Sequence, residues 1–98
     1  MPSYDTQILK AAKRKDFVSV NHRVAAFLES YFDIIFAVNE LTHPGEKRMI
    51  SYAAAHANLL PNQFEQSLNT LLMSTTASPE ILEKQLKDII ANLAEILL

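Results

Sequence analysis

From Asp16 onward the large apolar residues fall at Phe17, Val20, Val24, Phe27, Tyr31, Ile34, Val38 and Leu41, with spacings that alternate three and four. That is the signature of one long amphipathic helix, capped at its start by Asp16. A companion row of Ala25, Leu28, Phe32 and Ile35 lies beside the seam and widens the apolar face well past one stripe. The helix is therefore expected at the centre of the molecule, touched on two or more sides, with Phe27, Tyr31, Ile34 and Val38 in the middle of its buried face. Asn21, Glu29, Ser30 and Asp33 interrupt it too often for a membrane span. Ahead of it, from Ser3 to Lys15, Ile8, Leu9, Ala11 and Ala12 form an apolar patch on a short helix. Lys10, Lys13, Arg14 and Lys15 crowd its final turn, where cations complement the negative end of the helix dipole. A phosphate or nucleic-acid contact is the functional alternative for that cluster.

The pattern breaks at Thr42-His43-Pro44-Gly45-Glu46-Lys47-Arg48, because proline biases the residue before it away from helical geometry. A third helix is predicted to restart within this run, with Thr42 or His43 near the cap, Pro44 in the first turn and Glu46 at the positive end of the dipole. Met49, Tyr52, Ala53 and His56 share its apolar face, and it ends before Pro61. Asn62 can cap a fourth helix with Phe64, Leu68, Leu71 and Leu72 on one side, closed by Ser74-Thr75-Thr76-Ala77. Ser78-Pro79-Glu80 opens a fifth, in which Leu82, Leu86, Ile89, Leu93 and Ile96 again alternate four and three, broadened by Ile90 and Leu97. The expectation is an all-α fold: one domain over residues 1–98, a small bundle of about five helices around a long central second helix.

Composition narrows this further. A single glycine, Gly45, in 98 residues leaves too little turn chemistry for a many-stranded sandwich or barrel. Hydrophobic residues at 49% and charged residues at 20% fit a folded domain. With no cysteine there is no disulfide framework and no thiol chemistry, which suits a cytoplasmic setting. The start of the sequence lacks the basic-then-apolar layout of a signal peptide. A net charge of -2 argues against general nucleic-acid binding, and no membrane partner is expected. No Gly-rich phosphate loop, nucleophile elbow or zinc-helix motif is present, so the chain alone is not expected to be catalytic. His22, His43 and His56 are far apart in sequence, and neither a metal site nor a cofactor is implied.

Candidate chemistry concentrates in the segment Asn39 to Arg48. It joins two apolar helices, holds the only glycine, and sets His43, Lys47 and Arg48 at a predicted helix start whose free N–H groups favour an anion. A phosphate or carboxylate fits there. In the purely structural alternative, Asn39 and His43 cap backbone groups, Glu46 pairs with Lys47 or Arg48, and Gly45 permits a tight corner.

The stretch Tyr31 to Arg48, above all Phe36-x-x-Asn39 followed by His43-Pro44-Gly45-Glu46-Lys47-Arg48, resembles the helical C-terminal region of a group of bacterial nucleotidyltransferase-like proteins of the DNA polymerase beta superfamily. The likeness extends loosely to Leu60-Pro61 and Phe64-Glu65 and covers the middle half of the chain. It implies a helical accessory or substrate-binding domain that closes over a nucleotide or acceptor cleft, with Asn39, His43, Lys47 and Arg48 facing the phosphates or the acceptor. The partner it implies is an α/β nucleotidyltransferase catalytic domain, either preceding this one or on a separate chain, since the glycine-serine turn and paired aspartates of that domain are not in this sequence. The alternative reading, of a different class, is a stand-alone interaction module that forms a homodimer through its leucine-rich last helix.

Overall fold

Five helices form where the apolar periodicity lies: α1 (Tyr4–Lys13), α2 (Phe17–Val38), α3 (Met49–His56), α4 (Phe64–Met73) and α5 (Pro79–Ile96). The structure is a computed structural model that describes residues 4–45 and 48–97. Among these residues there is no strand, so the fold is an all-α bundle. α1 runs along α2, and α5 packs against both α1 and α4. One continuous core results, built from Ile8, the buried face of α2, Ala53, Phe64, Leu68, Leu71 and the Leu82-Leu86-Ile89-Leu93 stripe of α5.

Helix boundaries follow from local chemistry. Asp16 caps α2 by accepting the Ser19 N–H at 3.3 Å and the Ser19 hydroxyl at 2.7 Å. These bonds to the ionised carboxylate, the hydroxyl first, hold its pKa below the usual aspartate value, with a further contribution from Arg14. Ser78 caps α5 through the Ile81 N–H, with Pro79 in the first turn. Helices α1 and α2 end alike. The Asp16 N–H reaches back to the Ala11 carbonyl and the Leu41 N–H to the Phe36 carbonyl, each pivoting on a left-handed residue, Lys15 (φ 56°) or Glu40 (φ 56°). This is the Schellman arrangement, which ordinarily favours glycine at the pivot. Neither pivot is glycine here, which is why the sequence carried no stop signal at Glu40 and the second helix was expected to run to Leu41.

The seam of α2 is followed in its first half and abandoned in its second. Val20, Val24, Phe27 and Tyr31 are buried, but Ile34 is 36% exposed and Val38 only half-buried, so Ile34 is not at the centre of the core as its spacing suggested. Burial passes instead to Phe32, Ile35 and Phe36. The cause is the length of the neighbour. At 1.5 Å per residue α1 spans about 15 Å and α2 about 33 Å, so α1 covers only part of it. The Tyr4 ring meets Phe27 and its hydroxyl accepts from Ser30, which puts the described end of α1 near the middle of α2. Beyond that point cover comes from Phe64 of α4, against Tyr31 and Phe32, and from Tyr52 of α3, against Phe36. These arrive from a different side and turn the buried face around the helix. Phe17, the first seam residue, is likewise 40% exposed.

Candidate functional site

The corner between α2 and α3 is an extended, solvent-facing loop held from beneath. Asn39 closes α2 and fastens it to a distant segment. Its side-chain amide donates to the Ile35 and Leu59 carbonyls, both at 2.8 Å, and its carbonyl oxygen accepts the Leu59 N–H at 2.7 Å. Twenty residues of chain, including all of α3, are thereby pinned across one side chain. His43 lies edge-on to Phe36 with ring centres 5.1 Å apart, and its Nδ1 accepts the Gly45 N–H at 3.0 Å. That bond requires an unprotonated Nδ1 and leaves the proton of the neutral ring on Nε2. Nε2 faces the Asp33 carboxylate at 3.8 Å, too long for a hydrogen bond. Gly45 has φ 93°, a conformation that side chains rarely adopt, and its position is where the corner turns.

The third helix begins at Met49, after Arg48 in a left-handed conformation (φ 58°), and not at the Pro44 turn. Residues 41–45 are non-helical because the Schellman stop at Glu40 and the His43–Gly45 bond direct the chain outward before α3 can nucleate. His43 and Pro44 are therefore not at a helix N-terminus, and the anion cradle expected there does not form around His43. Glu46 and Lys47 lie outside the described residues. Arg48 is exposed, and its guanidinium makes no ion pair with a described residue. Of the four sequence candidates, then, Asn39 and His43 are tied into the scaffold of the corner, Arg48 projects from it, and Lys47 is not described.

Two hollows flank the corner. A cleft of about 650 Å³ is lined by Val24, Ala25 and Leu28 of α2, by Met49 of α3 and Leu72 of α4, and by His43 and Gly45 of the corner. Asn21 and Glu29 mark its polar rim. A shallower depression of about 290 Å³ lies on the Arg48 side, over Phe32 and Ile50. Leu28, Met49 and Leu72 line both and form the divide between them. The cleft is scarcely announced by the sequence. Its one trace is that Asn21 and Glu29 interrupt the apolar helix on the same side as Ala25 and Leu28, where a closed core would have kept apolar residues.

Among the described residues no group of three His, Asp or Glu side chains is placed to hold a metal ion, and no helix is long and apolar enough to cross a membrane. Comparison with protein-family models, with curated proteins and with solved structures finds no match for this chain.

Proposed function

We propose that the chain is a non-catalytic helical accessory domain of a nucleotidyltransferase-like protein, presenting the corner 39–48 to a nucleotide or a phosphate-bearing acceptor held by a catalytic domain. The observation that carries this reading is the construction of the corner. Residues 42–45 are exposed, yet the segment is fixed by the Asn39 clamp and by the packing of His43 on Phe36. Rigid support beneath a polar, exposed loop is how scaffolds position contact residues. The resemblance of this same segment to the nucleotidyltransferase-associated helical region points the same way. In this reading Asn39 and His43 set the shape of the corner, and Lys47 and Arg48 supply the charge that meets phosphate.

The test is a titration of the chain with ATP and, separately, with inorganic tripolyphosphate, followed by amide NMR shifts. Saturable shifts at Arg48 and Met49 are expected, lost in the double variant Lys47→Met, Arg48→Gln, with the melting temperature nearly unchanged because exposed ion pairs contribute only about 0–1 kcal/mol. A double variant that melts earlier while its shifts persist, or a chain with no saturable shift up to millimolar ligand, overturns the reading. Homodimerisation through α5 has a narrower basis. Ile90 and Leu97 are exposed seven residues apart on one face, but Ile81, also exposed, lies on the opposite side of the helix.

A further inference from the structure

One end of the bundle differs in composition from the rest. α4 runs back along α2, with Phe64 against Tyr31 and Phe32 and Leu72 beside Val24 and Ala25. α5 returns along α4, where the Gln85 amide donates to the Ser74 hydroxyl and the Asn92 amide to the Asn62 carbonyl. The turn between α1 and α2, the end of α4 and the start of α5 therefore lie together, and the charge of Lys13 felt by Glu83 places the end of α1 with them. Phe17, Val18, Met73 and Ile81 are all exposed at this end, Val18 and Met73 at 83% and 86%. Lys10, Lys13, Arg14 and Lys15 are exposed there too. Residues 10–23 hold five of the nine lysine and arginine residues of the chain and, of its eleven acids, only Asp16.

This charge is not cancelled locally. Asp16 is engaged by Ser19 and Arg14, and Glu83 by Lys87, with Glu80 a further acid in the first turn of α5. Lys10, Lys13 and Lys15 make no ion pair with a described residue. The helix dipole does not account for all of them either, because the positive end of α2 follows the negative end of α1 within three residues and offsets it. The net charge of -2 averages over this separation, so the expectation of no membrane partner does not extend to a peripheral contact at this end. Val18 and Met73 line neither hollow beside the corner. A protein partner would need a recess shaped to each, whereas the headgroup layer of a bilayer closes around isolated apolar side chains. Lysine is also depleted at protein interfaces, while at a bilayer its stem lies along apolar surface and its ammonium group stays among the headgroups.

We propose that this end of the bundle docks on the surface of an anionic lipid bilayer, with Val18 and Met73 entering the boundary between headgroups and acyl chains and Lys13, Arg14 and Lys15 meeting the anionic headgroups.

The intact chain is mixed with vesicles of phosphatidylcholine and phosphatidylserine in a three-to-one ratio, or with vesicles of phosphatidylcholine alone, and the bound fraction is read by co-sedimentation. Binding to the mixed vesicles is expected, weakening with added salt, and none to the neutral ones. Lys13→Gln combined with Lys15→Gln should lower the partition coefficient about 25-fold, since each lysine near such a surface is worth about fivefold. Val18→Ser combined with Met73→Gln should lower it about tenfold. All four positions are exposed, so circular dichroism and melting should match the parent. Soluble polyglutamate and duplex DNA are the competing anions, and both should bind more weakly than the mixed vesicles. Equal binding to the two kinds of vesicle, no binding at millimolar lipid, a bound fraction indifferent to either pair of substitutions, or polyglutamate or DNA held as tightly as the mixed vesicles would each overturn the proposal. Because no variant touches Lys47 or Arg48, failure here is separable from failure of the phosphate titration.

Discussion

Two junctions of this bundle solve the same problem by different means. Between α1 and α2 the chain reverses in three residues, using a Schellman stop at Lys15 and an aspartate cap at Asp16, with every partner within five positions in sequence. Between α2 and α3 it takes ten residues, and what holds them is remote: Asn39 against Leu59, and His43 and Tyr52 against Phe36. The short junction is a property of its own sequence. The long one exists only once three separate segments have come together, so its stability should be coupled to the core while that of the short one is nearly local.

Removing Phe36 tests that coupling with the largest effect. The ring is buried and touches Phe32, His43 and Tyr52, so Phe36→Ala should cost about 3–5 kcal/mol in urea melts and release the corner as well as the core. A loss below about 1 kcal/mol would mean the corner stands without its anchor. Asn39→Ala comes next. It deletes three partly solvated hydrogen bonds, for a loss of about 1–2 kcal/mol, and hydrogen exchange should speed up at Leu59 and through α3 while α1 and the first half of α2 keep their protection. Uniform acceleration across all five helices would show that the clamp is not local to this junction.

Asp16→Ala at the short junction should have the smallest effect, and its sign with pH is determined. Because hydrogen bonds from Ser19 depress the folded-state pKa of Asp16, the stabilisation is complete above the ordinary aspartate value of about 3.8 and is lost as pH falls through the lower folded-state value. The gap in melting temperature between parent and variant should therefore be constant near neutrality and close in acid. A gap that persists unchanged below that range would assign the effect to helix propensity and not to the cap.

The same contrast explains what could be read from the sequence. The helices, their number and the capping roles of Asp16 and Ser78 depend on neighbours within a few residues, and periodicity and cap chemistry expose them directly. The start of α3 was misplaced because proline after histidine imitates a helix entry, whereas the true entry is set by left-handed geometry at Glu40 and Arg48, which their residue types do not announce. Ile34 was misassigned because an unbroken three-four spacing says nothing of where a neighbouring helix stops. Phe36 belonged to neither apolar row, and its importance emerges only when Tyr52 and His43 close around it. At the corner, the sequence singles out residues 39–48 but not the bonds that hold them, because the Leu59 partners of Asn39 lie twenty residues away. The carbonyl and ring that engage Asn39 and His43 become visible only in the folded chain.

The pairing of α5 with both α1 and α4 has a consequence for the order in which the molecule can form. The buried side of α1 is shared between α2 and α5, with Glu83 of the last helix close enough to feel the charges of Lys13 and Asp5 in the first. On a ribosome, α1 to α4 emerge with that side uncovered, and the stripe Leu82, Leu86, Ile89 and Leu93 arrives after them. The α1–α2 turn can form early from local contacts, but the shared core closes only once α5 has emerged, so the nascent chain carries an exposed apolar seam until that helix is free to pack.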